Sequence, residues 1–188
     1  MATRQRLNTA TVVAGAIDLV NERGADALSL AELAARFRVR PPSLYNHVDG
    51  LDGLRREMTL EGLRRLTDRL RTAAAGHAGF DALQAIAHAY RQFAADEPGL
   101  YPLTLRSTED GDDELQAAGR ELMDIVLVAL RGYHLQGDAL IHAVRCVRSA
   151  LHGFVALEIA DGFMLPVNLD ESFRRLLAML HNGLTTGN

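Results

Sequence analysis

The sequence predicts an all-α protein, and three observations carry that reading. Apolar residues recur at three- and four-residue spacing along almost the whole chain. No stretch alternates with period two, as a half-buried strand would. The breaks between the periodic stretches hold residues that stop and start helices.

Taken in order, Val12, Val13, Ala16, Ile17 and Val20 share one face of a first helix that Gly24 ends. Ser29 followed by Glu32 forms a capping box opening a second helix, with Leu30, Leu33, Ala34 and Phe37 as its apolar face. After a break the chain restarts at Pro41 and Pro42, which a first helical turn tolerates because its amides have no intrahelical acceptor. In this short third helix Leu44 and Val48 lie four apart and face the core, leaving Ser43, Tyr45, Asn46 and His47 to face elsewhere. A long helix is expected from Leu51 to about Ala75, with Leu54, Met58, Leu63, Leu66 and Leu70 along it. Further helices are read over 80–96, 112–133, 138–159 and 169–181, for eight or nine in all. Glu97-Pro98-Gly99, an acidic run from Glu109 to Asp113, Gly137 and Pro166 separate them. The acidic run has a simple role, since carboxylates in a first helical turn complement the macrodipole; that role is favoured over a metal site.

Composition narrows the function classes. The 188 residues suffice for one large domain or two small ones. No apolar run reaches the roughly 18 to 20 residues that span a bilayer, and MATRQRLNTATVV lacks the apolar core of a secretion signal. Cys146 stands alone, so no internal disulfide is expected. These features point to a soluble, cytoplasmic protein without membrane contact. All 20 Lys+Arg residues are arginines. Residues 1–75 hold 12 of them against 9 acidic groups, whereas residues 76–188 hold 8 against 15. A modestly basic head on an acidic body suits a polyanion-binding module joined to something else. No Gly-rich phosphate loop, HExxH motif or paired-carboxylate spacing stands out, and the seven histidines are scattered. No catalytic residue, metal or cofactor is expected.

The stretch SLAELAARFRVRPPSLYNHV, residues 29–48, carries the function. A short helix, a tight turn and a second short helix is the geometry that enters the major groove of DNA, with the N-terminal residues of the second helix against the base edges. A Tyr–Asn–His run on the outside of so small a helix suits phosphate hydrogen bonds and base-edge contacts.

Residues 8–58 resemble the N-terminal domain of TetR-family transcriptional regulators. The resemblance lies in Ala16, Leu19-Val20, Gly24, the run Leu28 to Ala34, Phe37, Val39 and above all Leu44-Tyr45-Asn46-His47-Val48. It implies a three-helix DNA-binding domain over 1–50, with its helix-turn-helix at 29–48, and a helical effector-binding and dimerisation domain over 51–188. By the same resemblance Arg40, Pro41, Ser43 and Asn46 meet bases or the adjacent backbone. Tyr45 and His47 touch phosphates, and Ser29 donates to one. Core packing is the competing role for the Tyr45 ring, and a plain helix-terminal cation the competing role for His47. Where the family usually carries a lysine after the histidine, this chain has Leu51. Arg55, Arg56, Arg4 or Arg6 are the candidate replacements, along with backbone amides at the start of the long helix.

Beyond residue 58 the resemblance thins. SALHGFVALEIADGF at 149–163 and DEPGLYPLTLRS at 96–107 resemble a TetR C-terminal subclass marked by a Trp-His-Gly element, though only His152-Gly153 is present. The last two helices carry more apolar surface than one core needs. They are expected to form half of a four-helix homodimer interface through Leu151, Gly153, Phe154, Phe173, Leu177 and Leu180. Tyr90, Phe93, Tyr101, Leu105, Met123, Leu127, His142 and Cys146 are the candidate lining of a pocket for a small apolar or aromatic effector, ordinary core packing being the alternative for each. His142 and Cys146 are spaced for a shared metal, but a satisfied histidine beside a buried thiol is the favoured account. The expected function is a repressor released from a palindromic double-stranded operator when effector shifts the dimer to the wrong half-site spacing. A helical ligand-binding protein or enzyme without DNA binding is the alternative, as is an interaction module that keeps the helix-turn-helix only as scaffold.

Overall fold

A computed structural model describes residues 7–105 and 111–186. Arg4, Arg6, Glu109 and Asp110 lie outside the described residues. Among the described residues there are seven α-helices, against the eight or nine expected, and no strand: α1 Thr9–Arg23, α2 Leu30–Phe37, α3 Gly50–Ala74, α4 Gly79–Asp96, α5 Asp113–Leu130, α6 Gly137–Ile159 and α7 Leu169–Thr186. Short 3-10 turns cover Ala25–Ala27, Pro41–Ser43, Tyr101–Leu105 and Arg131–Tyr133. The expected third helix is the 3-10 turn Pro41–Ser43 and not an α-helix, since the Ser43, Leu44 and His47 amides each reach back three residues, to Arg40, Pro41 and Leu44.

The chain forms two compact units, 1–64 with 97–116, and 65–96 with 117–188. In the first, Asn8 caps α1 by accepting the Thr11 amide at 2.8 Å, and Gly24 closes the helix at φ +83°. Val12, Ala16, Ile17, Leu19 and Val20 are fully or almost fully buried, together with Leu33, Leu44, Leu54 and Met58. The segment after α4 belongs to the same unit. The Asn21 side chain accepts the Gly99 and Leu100 amides at 2.9 and 3.2 Å and donates to Glu97. Gly99 lies so close to the last turn of α1 that a Cβ there would stand 2.3 Å from the Val20 carbonyl oxygen.

The second unit packs α4, α6 and α7 on one another around Leu83, Ile86, Phe93, Val147, Leu151, Phe173 and Leu177. The Phe154 ring stacks obliquely on Phe173 and Phe163, each at 4.9 Å. Gly132 passes within van der Waals limits of the Gly79 backbone, where a Cβ would have 2.6 Å. An 18-residue window of α6 reaches a mean hydropathy of 1.3. The helix is thus long and apolar enough to cross a bilayer by length and composition, a test that the core helix of a soluble protein also passes. Periodicity hid this, because Arg145 and Arg148 interrupt the helix on its exposed face while Ala143, Val144, Val147 and Leu151 line the core.

Candidate nucleic-acid interface and ligand cleft

The stretch between α2 and α3 holds a few polar side chains outward on a short apolar anchor. The Ser29 hydroxyl accepts the Glu32 amide at 3.1 Å and fixes the start of α2. Leu33 and Ala34 seat the helix in the core. α2 ends in a Schellman closure: Arg38 donates to the Ala35 carbonyl at 3.1 Å and Val39 to the Ala34 carbonyl at 3.0 Å. The Ser43 amide then bonds the Arg40 carbonyl at 2.9 Å and Leu44 bonds Pro41 at 3.0 Å. The Leu44 carbonyl accepts from both His47 and Val48, at 2.9 and 3.1 Å.

Leu44 has no exposure and Val48 only 6%, so the turn is nailed down at two points. Tyr45 is consequently 61% exposed, which removes core packing as its role. Arg40, Pro41 and Asn46 are exposed too, while Ser29, Ser43 and His47 are half-buried. The Thr9 hydroxyl donates to the His47 carbonyl at 2.9 Å and ties the end of the turn to the start of α1. All seven sequence-predicted DNA-contact residues thus belong to the first unit, and none is sealed in its core.

The candidate replacements for the missing lysine separate clearly. Arg56 is committed to Asp112 at 2.5 and 2.9 Å, to Glu114 at 3.0 Å and to Glu57 at 2.7 Å. That guanidinium, with the Leu115 amide, holds the Asp112 carboxyl below the usual aspartate range. Arg55 has only a 3.6 Å pair with fully exposed Asp52 and is the freer of the two. Arg38, which the sequence reading passed over, is also exposed. The signal that could have found it is the pair of arginines flanking Val39.

The second unit carries an open cleft of about 570 Å³ lined by Ala73, Ala85, His88, Ala89, Arg91, Gln92, Ala95, Glu158 and Asp170. Arg91 is its charged centre. It pairs with Glu158 at 2.7 Å and Asp170 at 2.8 Å, and its guanidinium lies 4.9 Å from the Phe173 ring centroid. The hydrogen bond to Glu158, outweighing burial, raises its pKa above the ordinary arginine value. None of the eight expected pocket residues lines this cleft. Phe93 is fully buried, and Tyr101 and half-buried Leu105 sit on a 3-10 turn of the first unit. His142 and Cys146 are exposed on α6, so the thiol is not buried beside its histidine. Tyr90, Met123 and Leu127 remain as half-buried positions of the second unit.

Residues 83–180 match the family profile described as tetracyclin repressor-like, C-terminal domain. The chain is 33% identical over 188 residues to the uncharacterized HTH-type transcriptional regulator YobS of Bacillus subtilis, covering 100% of this chain and 98% of that one. It is 35% identical over 185 residues to the uncharacterized HTH-type transcriptional regulator Rv0681 of Mycobacterium tuberculosis, covering 98% and 84%. The chain belongs to the TetR family. The crystal structure of SCO4313 superimposes with a TM-score of 0.75 at 28% identity, over 92% of this chain and 94% of that one. Regulators of this family bind DNA and small-molecule ligands and act as dimers.

In this TetR-family regulator four of the six residues expected at a dimer interface are spent inside the protomer. Leu151, Phe154, Phe173 and Leu177 are 8% exposed or less, because α6 and α7 turn their larger side chains onto α4. Gly153 is exposed and Leu180 half-buried. The outward stripe of α6 instead runs through His142, Cys146, Gly153 and Leu157, and that of α7 through Met179 and Gly183.

Proposed function

We propose that this regulator is a cytoplasmic homodimeric repressor without enzymatic activity, released from a palindromic operator by a small apolar or aromatic effector. DNA binding is assigned to residues 1–50, and effector binding and dimerisation to 51–188. The observation that carries the reading is the 41–48 turn. Leu44 and Val48 are buried while Tyr45, Asn46 and Arg40 stand in solvent, an arrangement a purely structural turn does not need. Bases are assigned to Arg40, Pro41, Ser43 and Asn46, and phosphates to Ser29, Tyr45 and His47. The His152-Gly153 pair, with Leu151 before it in place of a tryptophan, is what supports the Trp-His-Gly subclass.

The outward stripe of Cys146, Gly153, Leu157, Met179 and Gly183 is the dimer face we favour. A Cβ at Gly153 or Gly183 would meet nothing within 4 Å in the protomer, leaving room for a second backbone. Effector binding is assigned to the second unit, with Tyr90, Met123 and Leu127 retained as candidates and the Arg91 cleft as the cavity at hand.

Selection of bound duplexes from a random DNA pool tests the reading, with wild type compared against Tyr45→Ala/His47→Ala. Enrichment of a near-palindrome by wild type alone is the expected result. A folded dimer that enriches nothing at low salt overturns it.

A further inference from the structure

Arg38 occupies a position where its side chain is a disadvantage to the fold. It is the left-handed residue of the Schellman closure, at φ +56° and ψ +42°. Glycine is the residue that takes this conformation without strain, since any Cβ crowds the neighbouring carbonyl. Both hydrogen bonds of the closure are backbone bonds, so glycine would make them equally well.

Nor does the side chain repay the strain within the protein. It is exposed and has no hydrogen bond or ion pair among the described residues. Of the other described arginines in the first unit, Arg23 pairs with Glu32, Arg36 with Glu22, Arg55 with Asp52, Arg56 with Asp112 and Arg64 with Glu114. Arg40 alone shares its lack of a partner, and it lies two residues away at the entrance to the Pro41–Ser43 turn. Two uncompensated guanidiniums therefore flank Val39: Arg40, already assigned to bases, and Arg38, to which no role is yet given. Left-handed backbone at a non-glycine residue also occurs at His134 and Asp161, but among the described residues only Arg38 combines it with an unpaired guanidinium in the helix-turn-helix. A guanidinium fork matches the oxygens of a phosphate and is not neutralised at any physiological pH.

We propose that Arg38 clamps a phosphate of the DNA backbone beside the bases met by the following turn. The proposal rests on the DNA-binding reading above. It assigns Arg38 to affinity and register and gives it no part in choosing the sequence, since phosphates carry no base identity.

The test uses the full-length dimer, an operator from the selection experiment, and the variants Arg38→Gly, Arg38→Asn and Arg36→Gln. Affinity is measured across a salt series and melting temperature on the same samples. Each lost phosphate contact removes about 0.9 from the slope of log affinity against log salt, which is roughly 5-fold at 0.15 M. A dimer on two half-sites therefore loses about 30-fold, and the slope falls by about 1.8. Arg38→Gly is expected to show this loss with unchanged base preference, while melting about 2–4 °C above wild type as the left-handed strain is relieved. Arg38→Asn, which tolerates the conformation without the charge, is expected to lose the same affinity. Arg36→Gln, whose guanidinium is already taken by Glu22, is expected to keep the wild-type slope. A wild-type slope in Arg38→Gly, or an altered base preference, overturns the proposal alone. Wild type that binds no duplex overturns the DNA-binding reading and this proposal with it.

Discussion

Replacing Gly99 by alanine is expected to destabilise the first unit by an amount the geometry sets. A Cβ there would stand 2.3 Å from the Val20 carbonyl oxygen, 2.4 Å from its carbon and 2.8 Å from the Asn21 nitrogen. All three are backbone atoms in the last turn of α1, so no side chain can rotate away. Cβ contacts shorter than about 3 Å do not persist, and either the 97–101 segment or the end of α1 must withdraw by roughly 1 Å. Overpacking of this kind costs about 1–3 kcal/mol. The withdrawal also stretches both bonds accepted by Asn21, each worth about 0.5–1.5 kcal/mol net. The expected loss is therefore about 2–6 kcal/mol, or a melting temperature lower by roughly 4–24 °C for a chain of this size. Thermal unfolding followed by circular dichroism at fixed protein concentration measures it. A melting temperature within about 2 °C of wild type would show that the 97–101 segment does not press on α1 as described.

Neighbouring residues of the recognition turn should part company under mutation. Leu44→Ala is expected to cost about 2–5 kcal/mol, because the side chain has no exposure. Tyr45→Ala should stay within about 0.5 kcal/mol of wild type while abolishing operator binding, and a large loss of stability there would show that the ring is packed after all. Gly153→Leu is expected to leave the protomer folded, since open space surrounds that position, yet to shift the protein from dimer to monomer in analytical ultracentrifugation; an intact dimer would move the interface elsewhere. The depressed pKa of Asp112, due first to Arg56 and then to the Leu115 amide, sets a pH dependence. A carboxyl with a lowered folded pKa contributes stability that is complete above its unfolded value, about 4, and is lost as pH falls through the folded value. The gap in melting temperature between wild type and Asp112→Asn should hold above pH 5 and shrink below about pH 4. A gap that widens toward acid would contradict that sign.

What the sequence disclosed and what it hid divide along sequence separation. The Ser29 half of the capping box, the Gly24 stop and the starts of the long helices depend on residues a few positions apart and stand as expected. The Glu32 carboxylate instead turns to Arg23, α5 stops at Leu130 and α7 runs on to Thr186. The 41–48 stretch was misjudged in type but not in facing. Its Ser43, Leu44 and His47 amides reach back three residues where an α-helix needs four, yet Leu44 and Val48 still point inward. Residues of the second unit were harder to place, because periodicity marks an apolar face without naming its partner. That is why Phe154 and Phe173 were expected in an interface and lie instead against each other and Arg91. The Arg91 cleft draws its acids from Glu158 and Asp170, 67 and 79 positions away, and no local pattern announces such a meeting.

The contact between Gly99 and the end of α1 bears on how such regulators can be recombined. The unit that holds the recognition turn is discontinuous in sequence, since residues 97–116 complete it. A crossover placed at residue 50, joining this head to the body of a relative, would carry over the turn, Val20 and Asn21 but leave behind the glycine shaped to fit them. A foreign residue with a Cβ at that place would then meet the Val20 carbonyl. Chimeras that exchange 1–64 together with 97–116 keep the two surfaces as a matched pair, and lineages that shuffle heads and bodies must either inherit both pieces or hold a glycine in common at that one position.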